Sequence, residues 1–225
     1  MKNKKILLIL IVILIIITIL FFAIFKIIHY KNVKTGNNIT DKTLQEIEDY
    51  ILNISSYDAE IDVTVESNKN TNKYILKQKY CNPNFAYQEV IEPKNIEGLT
   101  IKYDGSNLEI SNSKLSVSTI YENYTYMADN VLWLNDFIDN YKQNNGTIKE
   151  ENGIIIMETS CNKNKYLINE KLYIDRKANK IIKLDINDEN NKSKIYITYN
   201  MIEIGSLTKE NVIAFKVEKL IAKDV

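Results

Sequence analysis

The sequence predicts an α+β protein: an N-terminal transmembrane helix, then one domain of mostly antiparallel β-sheet with two packed helices. Three observations predict it. Residues 6–25 are 20 consecutive positions with Thr18 as the only polar side chain. From Tyr57 onward, apolar residues recur with a period of two in short runs separated by turn-forming residues. Two segments, residues 40–55 and 126–143, instead carry apolar residues at helical spacing.

The apolar run is flanked by Lys2, Lys4 and Lys5 before it and Lys26 after it. As a helix it is about 30 Å long, enough to cross the hydrocarbon core of a bilayer. A cleaved signal peptide has a shorter apolar stretch ending in small residues, whereas Phe25-Lys26-Ile27-Ile28 offers no such site. No Cys follows the run to carry a lipid. Residues 31–38 are polar, contain Gly36 and have no period, so they read as a stem. The expected organisation is residues 1–34 as cytoplasmic tail, anchor (6–25) and stem, and residues 35–225 as an extracytoplasmic domain. The lysines on both sides weaken the charge signal for orientation, but a short charged tail before a large domain favours the tail inside.

The first domain segment opens with Thr43 and Glu46 at capping-box spacing and puts Leu44, Ile47, Ile51 and Ile54 on one face, which predicts an amphipathic helix. Alternation then sets in at Tyr57, Ala59, Ile61, Val63 and Val65 and recurs over residues 73–80, 85–91, 99–103, 108–110 and 115–120. Turns are expected at residues 67–72, 81–84, 92–98 and Asp104-Gly105, so these runs read as an antiparallel meander. A second helix over 126–143 carries Val131, Leu134, Ile138 and Tyr141 as a stripe that Trp133 and Phe137 widen. Further strands are expected at 147–150, 154–160, 166–168, 171–175, 181–186 and 194–203, with a last one using Ile213, Phe215 and Val217.

Composition narrows the function classes. From residue 35 on there are 23 basic and 29 acidic side chains, a net charge of −6, with the lysines scattered singly. No basic stripe is available for a phosphate backbone, so nucleic-acid binding is excluded. The single His, His29, lies beside the anchor, leaving the domain without the usual general base or commonest metal ligand. There is no Gly-rich phosphate loop and no closely spaced Cys/His set. Asp185, Asp188 and Glu189 could pair as carboxylates, but they fall at a strand end and turn, where a solvated loop explains them. No enzymatic activity, cofactor or metal is expected.

Cys81 and Cys161 each follow an expected strand, 80 positions apart. Outside the cytoplasm a disulfide between them would stabilise the domain by about 4 kcal/mol in the chain-entropy model. Two separate buried thiols fit the sequence equally well. Trp133 and Phe137 read either as an apolar ligand or partner face or as core, and core is favoured because a half-buried sheet uses aromatic residues routinely, the chain having 15 tyrosines.

The order of elements, anchor, amphipathic helix, meander, central helix and second meander, resembles the LolA/LolB lipoprotein-carrier fold. More narrowly it resembles the GerS-related germination lipoproteins. The resemblance is carried by residues 92–105, from Glu92-Pro93 through Gly98-Leu99 to Asp104-Gly105, by Lys171-Leu172-Tyr173-Ile174-Asp175, and by the runs 181–188 and 195–204. It implies a half-open antiparallel barrel around its helices. It also implies a non-enzymatic role in sporulation and germination: binding a cortex amidase of the CwlD type and supporting muramic-δ-lactam formation. Carrier members of the same fold imply the alternative, a lipid or other apolar ligand in the half-barrel. The sequence departs from GerS in having a transmembrane segment where a lipobox Cys would stand. An exposed sheet edge would also permit a strand-exchanged homodimer.

Overall fold

Most alternating runs of the sequence become strands, and in the central ones one face joins a shared core. The computed structural model describes residues 42–67, 69–124, 131–161, 167–190 and 193–213. The expected anchor and stem lie outside them, and among the described residues no helix is long and apolar enough to cross a membrane.

Helix α1 (Leu44–Leu52) starts with the expected capping box: Glu46 N–H donates to Thr43 Oγ1 at 3.2 Å and Thr43 N–H to Glu46 Oε2 at 2.7 Å. Strands β1 (Ser56–Glu66), β2 (Thr71–Cys81), β3 (Phe85–Glu92), β4 (Leu99–Asp104), β5 (Leu108–Asn112) and β6 (Val117–Tyr121) form the first meander. Helix α2 (Leu134–Gln143) crosses to the far edge, where β7 (Thr147–Glu151), β8 (Ile154–Ser160), β9 (Asn169–Asp175), β10 (Lys180–Asn187) and β11 (Ser193–Ile204) run back inward. The result is one open sheet of 11 strands in the order β6-β5-β4-β3-β2-β1-β11-β10-β9-β8-β7, closed at its centre by antiparallel β1–β11 pairing. Asn152 and Gly153 both adopt positive φ, 52° and 77°, the conformation a two-residue β7–β8 hairpin needs.

The sheet curls around α2. Just before this helix the Leu132 carbonyl accepts from Gln78 on β2, and near its end the Asn140 carbonyl accepts from Thr159 on β8. Strands β2 and β8 are five positions apart in the sheet order. That is about 24 Å if the sheet were flat, whereas two extended steps and six helical rises between Leu132 and Asn140 span at most about 16 Å. The concave face carries Tyr57, Ala59, Ile61, Leu76, Ile155, Met157, Leu172, Leu184, Ile186 and Ile197, all at most 3% exposed. With Ile47, Ile51, Leu134, Phe137 and Ile138 of the helices they make one continuous apolar core.

Three expected elements differ. The central helix begins at Leu134 rather than near 126: residues 131–133 form a turn, with Trp133 extended (φ −96°, ψ 134°), and residues 126–130 lie outside the described set. The strand expected at 166–168 is absent at Leu167 and Ile168, which instead pass between the Cys161 N–H and the Asn187 carbonyl. Ile213 ends a short helix, α3 (Lys209–Ile213), not a strand, because Thr208 N–H and Oγ1 both bond Asn211 Oδ1, each at 2.9 Å, and fix a helical turn. Phe215 and Val217 lie outside the described residues. Helix α3 lies against the outer face of β3, where Val212 and Leu207 pack on Phe85 and Tyr87. This is why β3 is buried on both faces.

Candidate interaction site

Trp133 and Phe137 are 2% and 0% exposed. Both are core: the Trp133 ring lies 6.5 Å from that of Tyr80, and the Phe137 ring 5.8 Å from that of Tyr141. Neither presents a face to a partner. Tyr80 stacks in turn on Tyr57 at 5.7 Å, and burial pushes the Tyr80 hydroxyl up to a pKa of about 12 and that of Tyr57 well above its ordinary value. Polar side chains that the sequence did not single out share this interior. Gln78 Nε2 donates to Gln88 Oε1 at 3.0 Å, and Asn140 Nδ2 donates to Glu170 Oε2 at 3.1 Å and Asp136 Oδ2 at 3.4 Å. Gln78, Gln88 and Glu170 sit at positions the apolar period assigns to the concave face, and Asp136 and Asn140 are buried on helix α2, which packs in the same core.

Cys81 and Cys161 are not joined in a disulfide. The register gives the reason. Cys81 pairs with Ser56 at the start of β1, whereas Cys161 follows Ser160, whose ladder through Asn169 and Asn187 leads to Ser193, at the β11 end opposite the far end of β1. The two thiols thus stand near opposite ends of a strand about 33 Å long. Burial raises the Cys81 pKa, Glu210 adding to it. The carboxylates weighed for catalysis do not converge. Asp185 is held by Lys183 at 2.7 Å, Asp188 by Lys194 at 3.4 Å, and Glu189 is exposed. No cluster of His, Cys, Asp or Glu suited to a metal occurs among the described residues.

The two edges of the sheet differ in chemistry. Strand β7 is edged with Lys149, Glu150 and Glu151, with Lys149 paired to Glu151 at 2.7 Å and Arg176 to Glu150 at 3.2 Å. Charges of this kind discourage pairing with another chain. Strand β6 reads Val-Ser-Thr-Ile-Tyr, has no charge, and is exposed throughout. Leu115, Ile120, Val117 and Tyr121 are 69%, 61%, 56% and 49% exposed, the highest values of any large apolar side chain among the described residues. Leu115, expected in the strand, lies in the turn before it. The absence of charge over 115–121 was visible in the sequence, but that this run is the sheet's edge was not.

The domain is thus a curled, open antiparallel sheet around a central helix, with one charged edge, β7, and one uncharged, exposed edge, β6. No protein-family model matches the chain, and no curated protein matches it. Among solved structures it is similar to GerS in the complex of the CwlD amidase from Clostridioides difficile with the GerS lipoprotein, at 27% identity over 71% of this chain and 92% of that one, TM-score 0.46. It is also similar to an uncharacterized conserved protein from Thermus thermophilus (12% identity, 75% and 91% of the two chains, TM-score 0.49) and to a LolA superfamily protein from Nitrosomonas europaea (11%, 76% and 97%, TM-score 0.42). These include the groups whose likeness the sequence motifs suggest.

Proposed function

We propose that this protein is a membrane-tethered, non-enzymatic envelope protein that binds a cortex amidase of the CwlD type and supports formation of muramic-δ-lactam during sporulation. The observation that carries the reading is the uncharged, exposed β6 edge, a surface suited to another polypeptide, on a domain whose opposite edge is blunted by charge. The GerS-like motifs over residues 92–105, 171–175, 181–188 and 195–204 supply the class of partner. Residues 6–25 supply the tether, with the domain on the extracytoplasmic side, in a sporulating cell the forespore intermembrane space. The Asp185, Asp188 and Glu189 geometry supports a binder over a catalyst, because each carboxylate is occupied by a lysine or solvated.

The test is the muropeptide profile of spore cortex from a strain of the source organism lacking this protein. Loss of muramic-δ-lactam is expected. An unchanged profile, with the amidase present and active, would overturn the proposal.

A further inference from the structure

Two Asn-Gly pairs flank β7, Asn145-Gly146 before it and Asn152-Gly153 after it. Both asparagines are exposed and both are left-handed, at φ 50° and 52°. An Asn followed by Gly can close a five-membered ring, because glycine has no Cβ to hinder its backbone nitrogen from reaching the Asn side-chain amide carbon. The two pairs differ in the freedom of that nitrogen.

Gly146 N–H donates to the Tyr141 carbonyl at 3.1 Å, and the buried Tyr141 ring crowds the glycine. Ring closure there would break the bond and push against a packed side chain. At the other pair, Glu151 and Ile154 are the last partners of the β7–β8 ladder, so the Gly153 N–H lies beyond it. Gly153 has nothing within 4 Å of where a Cβ would stand, and the Arg176 N–H that holds it, at 3.1 Å, bonds its carbonyl.

We propose that Asn152 is a site of spontaneous deamidation and isomerisation, and that the fold protects Asn145 from the same chemistry. The Gly153 nitrogen loses its proton and attacks Cγ of Asn152. The Cγ–Nδ2 bond breaks, ammonia leaves, and a succinimide ring remains. Water then opens the ring at one of its two carbonyls. One opening gives aspartate, and the other gives isoaspartate, whose main chain runs through Cβ and Cγ and is one methylene longer. The site is independent of the amidase reading.

The longer main chain falls where the structure is least able to absorb it. A two-residue hairpin loop with both residues at positive φ has a fixed length, and β7 is a terminal strand, paired with β8 alone. Either product also adds a carboxylate beside Glu150 and Glu151. Glu150 holds Arg176 at 3.2 Å, and Arg176 Nη2 donates to the Lys42 carbonyl at 2.8 Å, just before α1. A distorted hairpin therefore loosens the contact that holds the start of α1, so ageing of one surface asparagine spreads to a second element.

The experiment holds the full-length protein, in detergent micelles, in mildly alkaline buffer with and without urea, and digests samples with trypsin over time. Cleavage after Lys142, Lys149 and Lys163 puts Asn145 and Asn152 on separate peptides. Mass spectrometry with fragmentation measures deamidation at each, and an isoaspartyl methyltransferase labels isoaspartate but not aspartate. In the native protein Asn152 is expected to react at least about tenfold faster than Asn145, with the label on its peptide, because reaction at Asn145 must await local opening. In urea the two rates should converge. Equal native rates, or a faster one at Asn145, overturn the proposal, as does a native protein in which neither reacts while both do in urea. The isoaspartate fraction of aged protein is then expected to melt below Asn152→Asp, which has the added charge without the added methylene. If the two melt together, the step from hairpin to α1 is overturned.

Discussion

The Tyr57 hydroxyl, on the central strand, accepts the backbone N–H of Leu134 at 3.2 Å. Helix α2 has Trp133 at its N-cap position, with no side-chain cap of its own. A strand tyrosine therefore takes the place of the Ser, Thr, Asp or Asn that would ordinarily satisfy the first turn. The bond also fixes where the helix meets the sheet, since Tyr57 and Leu134 are both fully buried.

Tyr57→Phe removes the acceptor and leaves the Leu134 N–H buried and unpaired. The expected loss is about 1–2 kcal/mol of unfolding free energy. Urea denaturation followed by circular dichroism measures it. A variant as stable as the wild type would mean that the helix start is held by packing alone.

Residue Gly146 explains how the chain leaves α2. Its N–H donates to the Tyr141 carbonyl at 3.1 Å, and a Cβ there would overlap the Tyr141 ring at Cδ2 and Cε2. The ring cannot move freely, because its hydroxyl donates to Glu48 of α1 at 2.5 Å. Gly146→Ala is expected to cost about 1–3 kcal/mol by overpacking. In a Tyr141→Leu background the added cost should fall well below that, which a double-mutant cycle reads as coupling. Equal costs in both backgrounds would refute the steric account.

Local pattern carried much of this architecture in the sequence. The alternation from Tyr57 to Val65, the Asp104-Gly105 turn and the Thr43/Glu46 cap are each visible within about ten residues, and each formed as read. What was illegible depends on distant partners. Ile213 fits a strand as well as a helix until the Thr208–Asn211 bonds choose. The period does not say that β1 will pair with β11 across some 140 intervening positions, nor that the second meander will return from the far edge. Those two facts separate Cys81 from Cys161, put Trp133 inside the core and leave β6 at the rim. The candidate site was legible as a strand and not as an edge.

Two carboxylates make the fold acid-sensitive. Burial pushes Asp104 up, but the N–H groups of Asn107 and Ser106, at 2.7 and 3.0 Å, outweigh it and hold its pKa below the ordinary value. Glu158 is likewise raised by burial and lowered further by Asn169 and Lys171. A folded pKa below the unfolded one adds stability that is complete above the unfolded value, about 4. It is lost as pH falls through the folded value. Stability should therefore be flat for these groups between neutrality and about pH 5 and decline below about pH 4. Asp104→Asn keeps an acceptor for both turn N–H groups but cannot titrate, so its acid limb should be shallower. An acid limb as steep as the wild type's would remove Asp104 from the account.

Phe137 separates a filled half-barrel from a hollow one. A side chain that lines a ligand chamber touches protein on one side only, and truncating it widens a space already there. A side chain packed all round leaves a new cavity whose lining loses its contacts. Phe137 is fully buried, with Tyr141 beside it and Leu134 and Ile138 on the same helix in the same core. Phe137→Ala is accordingly expected to cost about 3–5 kcal/mol, measured by chemical denaturation of the purified protein. A cost below about 1 kcal/mol, together with lipid co-purifying with the wild type but not the variant, would mean that the concave face holds an apolar ligand. The lipid-carrier reading would then replace the partner-binding one, because a domain that keeps a chamber open around Phe137 is built to fill it.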